Sequence, residues 1–190
     1  MIGEITFRPV TSDSWEDFEK LFESRGGPKS CWCMAWRTVE DIPTAERPAT
    51  AKKLEMKRRI LSGEPVGLLG YRDSEPVAWC SIAPRNTYRA SMSDAVPGDE
   101  KQNIWSIVCF FVSRSCRGQG VFQQLISAAD KHAAMNGATM LEGYPVDPDS
   151  PSYRFGGFLS AFEQAGYAQI GRKGTRRHIV RKMLSQNRAQ

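Results

Sequence analysis

Residues 104–126 read IWSIVCFFVSRSCRGQGVFQQLI, and this stretch decides the fold that the rest of the chain is expected to adopt. Its first nine residues, 104–112, are apolar apart from Ser106 and rich in β-branched and aromatic side chains, which predicts a strand buried on both faces. A polar turn with Gly118 and Gly120 follows. From Val121 the apolar residues recur every three or four positions, the period of a helix that packs on the strand. The stretch therefore predicts a strand, a glycine loop and a helix.

This order of elements predicts an anion-binding site at the start of the helix. A helix N-terminus presents unpaired backbone N–H groups and a partial positive charge, and glycines allow an anion to approach the backbone. Arg117 adds a full positive charge. The loop lacks both the Lys-Ser/Thr ending of an ATP-binding loop and the third glycine of a dinucleotide-binding loop. The residues alone therefore indicate a phosphate-binding loop of unspecified family.

The remainder of the chain predicts alternating helices and strands. Asp13 and Glu16 resemble a capping box for the first helix, and residues 31–37, CWCMAWR, are assigned to a short helix of their own. Residues 41–48 and 85–102 are predicted loops. Further helices are predicted at about 13–25, 50–62 and 158–165, and further strands at 5–10, 65–72, 75–83, 139–143, 167–172 and 175–183.

Composition favours one soluble domain, expected at residues 1–184 and followed by a polar tail at 185–190. No segment has the length of a membrane span, and the N-terminus lacks a cleavage-site pattern, so a cytoplasmic protein without a membrane partner is expected. Five cysteines without a disulfide-framework spacing indicate reduced thiols. The net charge of +5 comes from dispersed basic residues, which favours a polyanionic cofactor over nucleic acid.

The glycine loop resembles a known family. Residues 117–122, RGQGVF, match five of the six positions of the Gln/Arg-x-x-Gly-x-Gly/Ala signature of the GNAT (Gcn5-related) N-acetyltransferases, with Phe122 in place of the small last residue. Residues 160–167, SAFEQAGY, resemble the family's Phe-Tyr-x-x-x-Gly-Phe segment, with Phe162 where many members carry a proton-donating tyrosine. The motifs CWCMAW, APR, CFFV and EGYPVD resemble a bacterial branch of small-molecule transferases within that family.

The resemblance implies a fold and an activity. The expected fold is α/β, with a central twisted sheet of six to seven strands, mixed but mostly antiparallel, and helices on both faces. The expected activity is transfer of an acetyl group from acetyl-CoA to the amine of a small molecule, by direct attack in a ternary complex. A monomer or a homodimer is expected. The alternatives are a protein lysine or N-terminal acetyltransferase, a non-catalytic acyl-CoA-binding module and a basic nucleic-acid binder.

The resemblance also implies which residues contact the two substrates. Cofactor contacts are expected through the main chain of the central strand and through the glycine loop: Phe110, Phe111, Val112, Arg117, Gly118, Gln119, Gly120, Val121 and Phe122. The acceptor amine is expected near Trp32, Met34, Trp36, Arg37 and Arg85. For the tryptophans, packing in the core is an equally good interpretation.

The catalytic residues are harder to assign because the central strand contains no carboxylate. Glu142, at the end of the neighbouring strand, is the expected general base, acting directly or through water. Tyr144 and Tyr153 are candidate acids that replace the missing tyrosine. Each of these residues also has a purely structural interpretation. No metal site is expected, since the Cys31-x-Cys33 spacing lacks a second pair of ligands.

Overall fold

The computed structural model describes residues 4–37, 48–92, 94 and 96–185. Within them, four helices and seven strands follow the predicted order, apart from the short helix predicted at residues 31–37. The helices are α1 (Trp15–Glu23), α2 (Ala49–Leu61), α3 (Val121–Met135) and α4 (Leu159–Gln164). The strands are β1 (Ile5–Pro9), β2 (Leu68–Arg72), β3 (Glu75–Pro84), β4 (Ile104–Val112), β5 (Met140–Gly143), β6 (Ala168–Lys173) and β7 (Arg177–Met183).

The seven strands form one sheet in the order β1-β2-β3-β4-β5-β7-β6. Only β4 and β5 are parallel, and every other neighbouring pair is antiparallel. The α3 helix makes the crossover between the two parallel strands, which is the connection that a parallel pair requires. The predicted mixed, mostly antiparallel sheet of six to seven strands is confirmed.

Helices cover both faces of the sheet, as predicted. Phe18 and Phe22 of α1 and Met56 of α2 are buried in a core on one face. Leu125 of α3 and Phe162 of α4 are buried in a second core on the other face. The apolar run in β4 contributes side chains to both cores, because the strand is buried on both sides.

The centre of the sheet contains an irregularity that positions the site. Ser81 of β3 pairs with Cys109, but Ile82 pairs with Ile107, so Val108 is an extra residue in β4 and forms a β-bulge. The parallel pairing of β4 with β5 ends at the same level, with Ile107 opposite Gly143. Beyond it, residues 109–112 pair with β3 alone, and the sheet opens between β4 and the chain that follows β5.

The predicted short helix at residues 31–37 is wrong, because this segment is a series of turns. Trp32 and Cys33 adopt positive φ values of 47° and 52°. Trp32, Cys33 and Met34 are all buried against α1 and β3, and three consecutive residues of a helix point in directions 100° apart. The turns bury all three side chains on one side. Of the predicted loop 41–48 and tail 185–190, residues 41–47 and 186–190 lie outside the described residues.

None of the helices in the described ranges has the length and apolarity needed to cross a membrane.

Candidate active site

The opening in the sheet exposes the second half of β4 along one edge. Phe111 and Val112 are half-buried, whereas the preceding strand residues are buried. A short turn, Arg154–Gly156, lies alongside β4 across this opening. Val146 is held away from β4, because its backbone is bridged to Phe158 and Arg177. Within the described residues, the second half of β4 therefore has a paired strand, β3, on one side only.

The glycine loop joins the end of β4 to α3. Gly118 and Gly120 both have φ of +73°, and a Cβ added to either would meet no atom within 4 Å. Glycine is required here by the backbone conformation, because L-residues pay a steric penalty at positive φ. In the described part of the chain, the N–H groups of Gly118, Gln119 and Gly120 donate to no protein acceptor. They join the unpaired N–H groups of the first α3 turn, and exposed Arg114 and Arg117 flank them.

Side-chain hydrogen bonds fix the shape of this loop. The Gln119 amide nitrogen donates to the Ser115 carbonyl at 2.9 Å, while its oxygen accepts from Arg72 of β2 at 2.7 Å. Nε of Arg117 donates to the Val112 carbonyl at 2.9 Å, which leaves the outer guanidinium nitrogens facing solvent. Arg72, which the sequence did not single out, thus ties the loop to the sheet.

Phe122 and Phe162, the two departures from the family signature, pack together on the α3 and α4 face. The rings of Phe110 and Phe122 lie 4.4 Å apart, and those of Phe110 and Phe162 lie 6.0 Å apart. A Cβ at Gly157 would lie 2.5 Å from the Phe122 ring, and one at Gly143 would lie 2.5 Å from the Phe162 ring. The Phe122 ring therefore fills space beneath the opening, and Phe162 offers no proton.

A buried polar pair lies where the strands diverge. Glu142 is fully buried, and the Tyr144 hydroxyl donates to its Oε1 at 2.5 Å. The same hydroxyl lies 3.2 Å from the Ser106 hydroxyl on β4, so Tyr144 spans from the end of β5 to β4. Burial raises the pKa of the Tyr144 phenol, and the neighbouring carboxylate raises it further. The phenol therefore remains protonated at neutral pH.

Two arginines and a second carboxylate complete this network. Arg181 of β7 donates to Oε2 of Glu142 at 2.6 Å and to both oxygens of Asp99, at 2.6 and 3.0 Å. Arg85 donates to Asp99 at 2.7 Å and lies 3.7 Å from Glu142. Burial alone would raise the pKa of the Asp99 carboxyl, but the two arginines outweigh it and hold that pKa below its usual range. Each buried charge is thus compensated.

The predicted acceptor residues divide between the core and the surface. Trp32 and Met34 are core residues, and Arg85 belongs to the ion network. Arg37 is fully buried and donates to the Val66 carbonyl at 2.8 Å. Trp36 is half-buried, and its ring lies 5.9 Å from that of Tyr153.

The rings of Trp36 and Tyr153 both contact the guanidinium of Arg177, a residue that the sequence did not single out. The Arg177 guanidinium lies 4.5 Å from the Trp36 ring centre and 5.5 Å from that of Tyr153. Tyr153 itself is 38% exposed and has a φ of 60°. Two loops, 28–37 and 144–158, therefore meet over the first residue of β7. Only long-range pairing brings Arg177 here, so no local sequence signal marks it.

The cysteines are buried or half-buried thiols. Nε1 of Trp79 lies 2.9 Å from Sγ of Cys33, and burial raises the pKa of the Cys33 thiol. The pKa of the Cys31 thiol is raised by its hydrogen bond to Cys33 and by burial. No group of three or more His, Cys, Asp or Glu side chains within the described ranges is arranged to hold a metal ion. A separate groove of about 850 Å³ lies between β1, the end of α2 and α3, and residues 117–122 of the glycine loop do not line it.

One family model and many solved structures are similar to this chain. A family model described as "Acetyltransferase (GNAT) family" matches residues 14–155. PaiA N-acetyltransferase from Thermoplasma acidophilum, solved with coenzyme A, is 13% identical with a TM-score of 0.55, covering 95% of this chain and 99% of that chain. YncA from Salmonella typhimurium, solved with acetyl-CoA, is 13% identical with a TM-score of 0.55, covering 97% and 96%.

A third similar structure is the ribosomal-protein-alanine N-acetyltransferase from Brucella melitensis. It is 14% identical with a TM-score of 0.54, and the match covers 94% of this chain and 99% of that chain. Identities this low show a shared fold alone. No curated protein sequence matches the chain.

Proposed function

Because the chain belongs to the GNAT acetyltransferase family, whose members are N-acetyltransferases that use acetyl-CoA, we propose that it acetylates the amine of a small molecule. The observation that carries the choice of a small acceptor is the contact between Trp36 and Tyr153. It joins the loops 28–37 and 144–158 on the face of the sheet whose core contains Tyr144, and so narrows the approach from that face. A peptide needs a groove that is open at both ends. The Brucella relative, by contrast, acts on a ribosomal protein.

The residues present fit acetyl-CoA at the glycine loop. The unpaired N–H groups of residues 118–120, the start of α3 and the Arg117 charge suit a pyrophosphate, with Val121 and Phe122 contributing backbone from the first helical turn. Phe110, Phe111 and Val112 pair with β3 on one side only, and the other side of this main chain offers hydrogen bonds to an extended amide chain. When bound, acetyl-CoA supplies a thioester whose acetyl group is open to attack by a neutral amine.

Tyr144 and Glu142 form a relay for the proton that the amine must lose. The Tyr144 oxygen takes the proton of the attacking amine as its own proton passes to Oε1 of Glu142. Return of the proton along the same path supplies the leaving sulfur, so one relay performs both transfers. Ser106 and Arg181 hold the relay in place. This assignment replaces the acid that Phe162 cannot provide.

Activity with a panel of amines tests the proposal. The protein is incubated with acetyl-CoA and either small amines or peptides, and release of free thiol is followed. Turnover on small amines, together with stabilisation of the protein by acetyl-CoA, is expected. Turnover on peptides alone contradicts the small acceptor, and binding without any turnover identifies a non-catalytic acyl-CoA-binding module. The five free cysteines suit the reducing cytoplasm as the place of this activity.

A further inference from the structure

Among the described residues, Arg177 differs from Arg85 and Arg181 because no carboxylate pairs with it. Arg181 and Arg85 each form ion pairs with Asp99 and Glu142. Arg177 forms no ion pair with any described carboxylate, and its Nη1 is buried without a hydrogen-bond partner. Asp147, the nearest acidic residue along its bridged strand, pairs instead with His178 and Arg172. A half-buried cation that lacks an anion carries a desolvation cost, which a bound anion removes.

The guanidinium is also held in one place. Trp36 and Tyr153 lie around it at 4.5 and 5.5 Å, and the backbone of Arg177 is bridged to Val146. Contacts with these two rings limit the arrangements that the side chain can adopt before any ligand binds. Affinity rises when little conformational freedom remains to be lost. Arg177 therefore has the properties of a prepared anion-binding group.

The position of Arg177 indicates that the anion it binds belongs to the acceptor and not to the cofactor. The Arg177 guanidinium lies 5.5 Å from the Tyr153 ring centre, and Ile179, two residues further along β7, is buried in the same core as Tyr144. Trp36 packs on the core that contains Tyr144 and Cys109, on the α1 face. The glycine loop leads into α3, which covers the opposite face. A phosphate held by that loop lies on the other side of the sheet from Arg177.

We propose that the acceptor is an amino acid, whose carboxylate binds the Arg177 guanidinium while its amine faces the Tyr144 hydroxyl. This inference rests on the proposed function and names the acceptor class. A guanidinium binds a carboxylate through two parallel N–H donors, which fixes the orientation of the acceptor. Trp36 and Tyr153 offer apolar walls for its side chain. A diamine or polyamine places a second positive charge beside Arg177 and is rejected.

Matched substrates test this without altering the protein. Thiol release is compared for phenylalanine, phenylalanine methyl ester and phenethylamine, for leucine, leucine methyl ester and isopentylamine, and for the diamine putrescine. A kcat/KM at least tenfold higher for the free carboxylates supports the inference. Equal or faster acetylation of the esters and decarboxylated amines overturns it and leaves the proposed function standing. Absence of turnover on every amine and peptide contradicts the proposed function itself.

Substitutions of Arg177 test whether its guanidinium binds the carboxylate of the acceptor. Arg177→Leu is expected to raise KM for the preferred amino acid about 10- to 100-fold, the usual effect of losing a charged hydrogen-bonded partner. KM for acetyl-CoA is expected to stay unchanged, and Arg177→Lys is expected to recover part of the loss. Arg176→Leu is the control, since Arg176 is the neighbouring cation and donates to the Ser152 hydroxyl at 2.8 Å. An increase in KM for acetyl-CoA alone overturns the inference.

Discussion

Replacement of Tyr144 by phenylalanine removes the proposed relay and little else. The ring stays in its core, while the hydrogen bond to Glu142 at 2.5 Å and the contact with Ser106 at 3.2 Å are lost. Glu142 keeps its bond from Arg181. Loss of one hydrogen bond to a buried carboxylate costs about 1.5–3 kcal/mol of unfolding free energy. For a chain of this size, that lowers Tm by about 3–12 °C.

The effect on catalysis is expected to exceed the effect on stability. Removal of an acid–base group lowers kcat by roughly 10²–10⁴-fold, and acetyl-CoA affinity is expected to remain within twofold because the glycine loop is untouched. Thiol release gives kcat and KM, calorimetry gives the affinity, and thermal melting confirms that the variant is folded at the assay temperature.

Tyr167→Phe provides a matched control. The Tyr167 hydroxyl donates to Asp130 at 2.6 Å, and burial together with that carboxylate raises its pKa, as for Tyr144. Tyr167 lies between α4 and β6, away from the opening. Its replacement is expected to cost similar stability and to leave kcat unchanged. A kcat for Tyr144→Phe within threefold of wild type would refute the relay, and equal losses in both variants would reduce it to a stability effect.

Three further substitutions test the loop and the ion network. Arg117→Glu should raise the Kd for acetyl-CoA about 10- to 100-fold in calorimetry, with exposed Arg25→Glu as the control; equal Kd values contradict the anion site. Gly120→Ala should lower the unfolding free energy by about 1–2 kcal/mol in denaturant titrations, because Gly120 has a φ of +73° and the added Cβ gains no contact. Gly171→Ala is the control and should leave the unfolding free energy unchanged, because an added Cβ meets no atom there and φ is not positive. The pKa of the Asp99 carboxyl is below its usual value, so its stabilisation is present above about pH 4 and lost as the pH falls further; Asp99→Asn should flatten that part of a Tm–pH curve, and an unchanged slope contradicts the pairing.

Local sequence pattern was sufficient for the order of elements and for the glycine loop. The change from an apolar run to a helical period at Val121 is a short-range signal, and the structure begins α3 at that residue. The same signal failed at residues 31–37, because a run of large side chains is compatible with a helix and with consecutive buried turns. Tertiary packing against α1 decides between them.

Only part of the candidate site could be predicted from the sequence, because tertiary contacts assemble the rest. Glu142 and Tyr144 were singled out from their place at the end of β5, and their roles remain proposals. Asp99, Arg181 and Arg177 come from an irregular loop and from β7, and the pairing of β7 with β5 and with Val146 brings them together. Strand register across a sheet is set by contacts distant in sequence, which no single stretch records.

Because Val108 is an extra residue, the side chains of β4 that face α3 change from odd-numbered to even-numbered partway along the strand. Before it, odd-numbered Trp105 and Ile107 point towards α3; after it, even-numbered Phe110 does so, while Cys109 joins Val108 on the α1 side. Deletion of Val108 would therefore leave Cys109 and Phe110 on their present sides, in regular alternation with Ile107, and would remove the local bend and added twist that a bulge gives to a strand. The extra residue thus redirects the path of β4 where the sheet opens, while the side chains before and after it keep the sides that a regular strand would give them.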